Sequence, residues 1–407
     1  MSVTLADIQT AAHALSGHVV RTPLVAAPLL SAISGADIRL KLENLQLAGS
    51  FKARGALNKL VSLSSAQKAA GVIAMSAGNH AQGVAMHART LGIPAVIVMP
   101  QGTPFNKIER TQALGAKVVV NGDSLSEAGD IAQSMAQANG YTLIHPYDDP
   151  LIIAGQGTAG LELMEDGPDI DTVVVPIGGG GLIGGMAMAI KAMKPSVEII
   201  GVQTDLYPSM KDCLDGTAPR CGGQTLAEGI AVKKPGEITR TIIRDLVSDI
   251  LLVSENAIER SVQALVETQK IVAEGAAAAT FAAVLANPER FQGKKVALLI
   301  SGGNIDARIL ASILLRGLAR AGRMARLRVE IPDMPGMLSR VTRLIGEGDG
   351  NIIEITHQRL FHDVPVKNTE LDAVIETTSV GHVEQIIKTL RDAGFPTRLL
   401  SSTAQAD

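Results

Sequence analysis

Residues 172–193 read Thr-Val-Val-Val-Pro-Ile-Gly-Gly-Gly-Gly-Leu-Ile-Gly-Gly-Met-Ala-Met-Ala-Ile-Lys-Ala-Met, and their order decides the fold. The run 172–177 is short and almost wholly apolar, the pattern of a strand buried on both faces. Four glycines follow, and from Leu182 to Met193 the apolar residues recur at helical spacing. Strand, glycine turn and helix together form the repeating unit of an open, mostly parallel α/β sheet. Glycines without side chains let backbone N–H groups close around a phosphate, and the helix N-terminus completes the anion site.

The same rhythm runs outward on both sides, from Leu5 to about Ala319. Strands are expected at 72–76, 95–99, 117–121, 172–177, 198–203 and 295–301, and a further strand-like run at 38–42. Helices are expected at 56–63, 80–91, 182–193 and 255–267. The stretch 316–328 then gathers Arg316, Arg320, Arg323, Arg326 and Arg328, which reads either as a linker or as a solvated helix end. Beyond it come a strand (326–331), a Pro-Asp-Met-Pro-Gly turn, a helix (337–346), strands at 351–358 and 371–377, a helix (380–393) and a strand (397–400). That βαββαβ order is a ferredoxin-like module.

Composition agrees with this architecture and excludes others. The 407 residues are 46% hydrophobic and 19% charged, which rules out disorder and fibrous repeats and suits two or three domains, or one large layered domain with an appendage. With Trp 0, Tyr 3 and Phe 6 the core must be built from Ala, Val, Leu, Ile and Met, and few rings remain to stack nucleic-acid bases. A net charge of -3 provides no basic footprint either. No stretch reaches the roughly 20 uninterrupted apolar residues of a membrane span, and the N-terminus has no basic region leading into an apolar run. Cys213 and Cys221 are too few for a disulfide framework, so a reducing, cytoplasmic setting is expected.

Of three further motifs, one lies between the strand-like run 38–42 and the helix 56–63, and two lie at predicted strand ends, where open α/β sheets collect ligands. In Ser50-Phe51-Lys52-Ala53-Arg54-Gly55, Lys52 is either a solvated surface charge or a Schiff-base amine. Ser76-Ala77-Gly78-Asn79-His80 opens a helix, either as a plain N-cap or as a carboxylate site. Ser301-Gly302-Gly303-Asn304 is by itself only a turn. The residues Gly179 to Gly184 also match the dinucleotide fingerprint GxGxxG. However, the next strand ends at Gln203, where that fingerprint needs an acidic residue for the ribose, so a nicotinamide enzyme is the weaker alternative.

In their order along the chain, at 50–55, 76–80, 178–185 and 301–304, the four motifs resemble the pyridoxal-phosphate enzymes of the tryptophan-synthase β fold type (fold type II), and most closely the threonine dehydratases, or threonine ammonia-lyases. The resemblance covers about residues 5–320. It implies a catalytic domain at 1–320, with a small subdomain of about 50–150 inserted. It also implies that Lys52 holds the cofactor as a Schiff base and serves as catalytic base, that Phe51 packs on the cofactor ring, and that Asn79 bonds its 3-hydroxyl. Gly178, Gly179, Gly180, Gly181 and Leu182 would cradle the phosphate, and Ser301 would face the ring nitrogen. Ser76, Asn79 and His80 are the candidates for holding the substrate carboxylate, with a structural role open for His80.

The implied activity is β-elimination from L-threonine, and L-serine, giving 2-oxobutanoate (or pyruvate) and ammonia, of the kind that serves isoleucine biosynthesis. Serine racemases and 3-hydroxyaspartate ammonia-lyases share the scaffold. Racemases of this kind carry a protonating Ser where this chain has Ala77, and a cation-binding Glu where it has Gln203, so elimination is expected with little racemisation, and no metal. An amino-acid sensor that only binds is a rival of another class, and an intact Lys52 argues against it. The module at 326–402 resembles an ACT domain, which implies an amino-acid effector such as isoleucine near Gly336 and Asn351, between two copies of the chain. The alternative for this module is dimerisation alone. A homodimer or homotetramer is expected, with no nucleic-acid or membrane partner.

Overall fold

In the computed structural model, the run that opens the sequence argument is a strand, Thr172–Pro176, buried at every position. The structure describes residues 3–358, 365 and 367–400. Positions 1–2 and 401–402, at the outer bounds of the two expected domains, lie outside the described residues. Thr172–Pro176 pairs in parallel with Lys295–Ile300 on one side and Glu198–Thr204 on the other. Across the sheet the order is Leu24–Ala26, Asp37–Leu42, Lys295–Ile300, Thr172–Pro176, Glu198–Thr204 and Asp249–Val253. Only the edge strand Leu24–Ala26 runs antiparallel to its neighbour.

A second, wholly parallel sheet has the order Lys117–Val120, Ala95–Met99, Val72–Met75, Thr142–Leu143. Its central strands are covered on both faces: Val72, Ala74, Ile97 and Met99 join one apolar cluster, while Ile73, Val96 and Val98 join another with Ala128, Ala132 and Ala136. Period-two alternation between two cores explains why these strands read as continuous apolar runs. Burying one such side chain contributes about 1.5–3 kcal/mol. Because aromatics are scarce, the main-sheet core is aliphatic, including Val173, Val175, Ile183, Met186 and Ile190.

Most expected strands end one residue earlier than their apolar runs. Ser76, Asn121, Ile177 and Ser301 leave the ladder to start the loops at the carboxyl ends. The helix expected at 56–63 instead runs Lys52–Val61, because Lys52, Ala53 and Arg54 are good helix formers and extend it backwards. Lys52 therefore lies in a first helical turn, not ahead of the helix. The helix expected at 255–267 is α-helical over Glu255–Ala264 and continues as a π turn, Leu265–Gln269. That turn stops at Lys270, which has a left-handed φ of 58°. The strands Leu24–Ala26, Thr142–Leu143 and Asp249–Val253 were not expected; the first two are too short for periodicity to register.

The chain divides into two compact units, Met1–Ile305 and Asp306–Asp407. Arginine-rich 316–328 spans the end of the helix Ala307–Arg320, a turn and the start of the strand Met324–Pro332, which favours the helix-end reading over a free linker. In the second unit an antiparallel sheet has the order Asn351–Gln358, Asn368–Glu376, Met324–Pro332, Thr397–Leu399. Helices Met337–Glu347 and Val380–Asp392 pack on one face through Val341, Ile345, Ile386 and Leu390. This is the βαββαβ ferredoxin-like order.

Candidate active site

Lys52 is placed by backbone stitching between two distant loops. The Phe51 N–H donates to the Ser301 carbonyl (3.1 Å) and the Gly303 N–H to the Gly49 carbonyl (3.0 Å), while Ser50 and Gly302 form an antiparallel bridge. The Lys52 amine donates to the Pro146 carbonyl at 2.6 Å and lies 5.1 Å from the centre of the Phe51 ring. Burial pushes this amine down to about 8, against the opposing pull of Glu274. At neutral pH about a tenth of it is therefore in the nucleophilic form, far more than for an ordinary lysine. Phe51 is half-buried and packs on the core of the main sheet.

The glycine loop follows Thr172–Pro176 and opens the helix Gly181–Met193, whose N-cap residue Gly180 has a left-handed φ of 94° and no side-chain cap. The first N–H groups of this helix thus have no partner within it. The loop is walled closely: a Cβ on Gly179 would fall 2.2 Å from the Tyr147 ring, and one on Gly180 would fall 2.8 Å from Thr239. Thr239 fixes the loop by donating its hydroxyl to the Gly179 carbonyl at 2.7 Å. Gly178, Gly179, Gly180, Gly181 and Leu182 therefore form one continuous cradle of backbone at a helix N-terminus.

Ser76 and Asn79 flank the turn into the helix Asn79–Thr90, which also lacks a side-chain cap. Ser76 Oγ accepts the Gly78 N–H at 3.1 Å. His80 behaves differently: its ring is buried, with Nε2 2.9 Å from the Ile144 carbonyl. Burial, with Lys52 nearby, pushes its pKa down to about 3. Its Nε2 is taken up by the backbone, which points to the structural role left open for it.

Several residues of the site were not singled out from sequence. Asn79 Nδ2 donates to Glu274 (2.8 and 3.1 Å), and Asn79 Oδ1 accepts from Asn304 Nδ2 (2.7 Å). The segment His145–Asp149 is a node: Pro146 accepts from Lys52, Tyr147 lies on Gly179, Asp148 accepts the first N–H groups of the helix Glu237–Leu246, and Asp149 pairs with Lys59. Its HPYDDP sequence carries a capping signal at Asp149-Pro150, but nothing in it announces the other contacts. Two residues after Lys52, Arg54 is buried between Glu43 and Glu162, and Lys41 shares the Glu162 carboxylate with it.

The donor set suits pyridoxal phosphate, the group that the motifs imply. It comprises an amine for the carbonyl carbon, a side-chain-free cradle of N–H groups for a phosphate, an amide and a hydroxyl. Gln203 is buried and engaged, with Oε1 accepting the Lys211 N–H (3.0 Å) and Nε2 donating to the Ile177 carbonyl (3.4 Å). Among the described residues no cluster of three or more His, Cys, Asp or Glu could hold a metal, and no helix is long and apolar enough to cross a membrane. In the second unit Gly336 caps the helix Met337–Glu347, and Asn351 starts the next strand, bonded to Glu376.

Comparison with known proteins gives a consistent picture. A family model described as pyridoxal-phosphate dependent enzyme matches residues 15–302. The chain is 45% identical over 400 residues to an L-threonine ammonia-lyase of Thermotoga maritima, covering 98% of this chain and 100% of that protein. A solved threonine deaminase from T.th. is 40% identical, with a TM-score of 0.70 over 74% of this chain and 99% of its own. Maize serine racemase is 32% identical, with a TM-score of 0.73 over 79% of this chain and 99% of its own.

Proposed function

We propose, from the premise that this chain belongs to the family of pyridoxal-phosphate-dependent enzymes, that it deaminates L-threonine to 2-oxobutanoate and ammonia. The observation that carries this reading is the meeting of a buried amine of lowered pKa, Lys52, with a glycine cradle at a helix N-terminus. Similarity to threonine ammonia-lyase over nearly the whole chain supports the substrate.

Bound pyridoxal phosphate supplies an electron sink for the pair released when a bond at Cα breaks. The protein's residues do the rest. The N–H groups that open the helix Gly181–Met193 would hold the phosphate, aided by the helix dipole. Ser301 would meet the ring nitrogen with a hydroxyl, which cannot stabilise positive charge there as a carboxylate would. The electron pair would thus be drawn less into the ring, which favours its use in expelling a β-leaving group over transamination. The Lys52 amine would be the base that takes the Cα proton. Ser76 and the unpaired N–H groups at the start of Asn79–Thr90 would hold the substrate carboxylate. The β-hydroxyl would leave as water, its added proton balancing the one that Lys52 takes from Cα, and the released enamine adds water to give the 2-oxo acid and ammonia.

Ala77 has no proton to give to the face of Cα opposite Lys52, so racemisation should be minor. A turnover panel of L-threonine, L-serine and both 3-hydroxyaspartate diastereomers tests the assignment. L-Threonine should have the highest kcat/KM, and no D-amino acid should accumulate. Equal or faster turnover of L-serine or 3-hydroxyaspartate would displace the threonine assignment while keeping the reaction class.

The C-terminal unit is read as an ACT-like regulatory module. Gly336 and Asn351 bracket an 11-residue helix, which separates them by about 16 Å at 1.5 Å per residue. No single amino acid can touch both within one copy, so an effector held by both residues would lie between two copies of the chain. This is consistent with a homodimer or homotetramer. Isoleucine is expected to change the kinetics by favouring one of two states, and to raise the melting temperature. If isoleucine and valine left both unchanged, dimerisation alone would be the module's role. The two free cysteines, Cys213 and Cys221, are consistent with the proposed cytoplasmic setting.

A further inference from the structure

We propose that Glu274 and Asn304 are positioning residues that lock the side-chain amide of Asn79 in one orientation, leaving one N–H of its Nδ2 to be offered to the cofactor. The inference rests on the pyridoxal-phosphate reading of the site and adds two residues to it.

A carboxamide has an accepting end and a donating end of nearly the same shape, so only its partners decide which way it faces. Here the roles are forced from a fixed point. The Ala48 carbonyl can only accept, and it lies 2.8 Å from Asn304 Nδ2. That nitrogen is therefore the donor, and its second N–H meets Asn79 Oδ1 at 2.7 Å. Asn79 Nδ2 must then face the other way, where both oxygens of Glu274 lie at 2.8 and 3.1 Å. One N–H is enough for that carboxylate, so the other remains for a ligand. The assignment does not depend on the charge of Glu274, whose pKa is raised by burial, and by Glu228 nearby, against the pull of the Asn79 bond, Lys107 and Lys52.

The surrounding backbone makes room for this trio. A Cβ on Gly49 would fall 2.8 Å from Asn304 Oδ1, and one on Gly302 would fall 2.6 Å from Glu274 Oε1 and 3.2 Å from Asn79 Nδ2. The Glu274 N–H donates to the Gly302 carbonyl at 3.1 Å, so the acid is tied to the loop that carries Ser301. Four segments far apart in sequence thus meet in one network, with Glu274 and Asn304 on the Asn79 amide and Ala48 behind Asn304. A surface hydrogen bond would need no such arrangement.

The test is a visible-absorbance titration of the cofactor-depleted enzyme with pyridoxal phosphate, for wild type, Glu274→Gln, Glu274→Ala, Asn304→Ala, Asn79→Ala and the doubles Asn79→Ala/Glu274→Ala and Asn79→Ala/Asn304→Ala. Each single alanine variant should bind the cofactor about tenfold more weakly and shift its visible band, the effect expected from losing a hydrogen bond to or through a charged group. In the Asn79→Ala background the second substitutions should change the Kd by less than about twofold, because their effect passes through that amide. Glu274→Gln keeps the shape of the acid and guards against a folding defect; it should lie between wild type and Glu274→Ala. Single variants that bind like wild type, or losses that simply add in the Asn79→Ala background, would overturn the inference. If wild type itself took up no pyridoxal phosphate, the functional reading and this inference would fall together. Normal uptake by wild type with unchanged variants would remove this inference alone.

Discussion

Lys52→Ala is expected to abolish 2-oxo-acid formation, lowering kcat by about 10⁴-fold or more, since it removes the covalent anchor and the proposed base together. The loss should be chemical and not structural. Lys52 lies in the first turn of a helix, where alanine is a better helix former, and its amine makes one hydrogen bond, to Pro146. The melting temperature of the cofactor-depleted variant should therefore stay near that of cofactor-depleted wild type. Lys52→Arg should be equally inactive, because guanidinium stays protonated at every working pH. In wild type, the rate at which cofactor-depleted enzyme takes up pyridoxal phosphate should rise with pH and level off above about 8, where burial has set the amine. The reacting form is the neutral amine, so the dependence must run upward. Turnover by Lys52→Ala at an unchanged rate would sink the mechanism.

The parts of this protein that could be read from sequence are those whose job is local. The glycine loop needs consecutive residues without side chains between a strand and a helix, and a linear motif carries that requirement whole. The two central strands of the small sheet, Val72–Met75 and Ala95–Met99, were legible because both of their faces are buried, which leaves an uninterrupted apolar run. The ferredoxin-like unit was legible because the strand Met324–Pro332 alternates buried and more exposed positions along its length. Glu274 and Asn304 were not, because their meaning comes from a meeting with Asn79 across 195 and 225 residues. A glutamate before an alanine-rich helix has no local signature. His80 shows the opposite difficulty, since a histidine inside a functional motif admits a chemical or a structural role, and only its ring turned to the Ile144 backbone speaks for the second. The start of the Lys52 helix was misjudged because apolar spacing begins only at Ala56, although helix propensity already favours the three residues from Lys52.

Arg54→Ala should cost about 3–5 kcal/mol of stability, the range for removing one partner from a buried ion pair. Arg54 is fully buried, as is Glu43, and its guanidinium donates to Glu43 through Nε (2.8 Å) and Nη2 (2.7 Å) and to Glu162 through Nη1 (2.6 Å) and Nη2 (2.8 Å). Lys41, also fully buried, completes a cluster of two cations and two anions. Without Arg54 two carboxylates share one lysine, and the pair carries an uncompensated negative charge. Against a total stability of about 5–15 kcal/mol, and about 2–4 °C per kcal/mol for a domain of this order, the melting temperature should fall by roughly 10 °C. The pH dependence separates this cause from simple loss of packing. Burial works to raise the pKa of Glu43, but Arg54, with Thr22 and Lys41, holds it below its usual value. Its stabilising contribution in wild type is therefore present above the ordinary carboxylate range and is lost as pH falls. In Arg54→Ala the Thr22 hydrogen bond and Lys41 remain, but the guanidinium that did most to offset burial is gone, so the pKa of Glu43 should rise above its unfolded value and protonation should favour the folded state. The deficit between the two proteins should then shrink as pH is lowered from 8 to 5, as measured by thermal melts across that range. Arg54→Ala/Glu43→Gln should recover part of the loss at pH 8, because it removes the stranded charge without restoring the cation. A deficit that stays constant with pH, and no recovery in the double variant, would mean that Arg54 stabilises the base of the Lys52 helix by packing and not by charge.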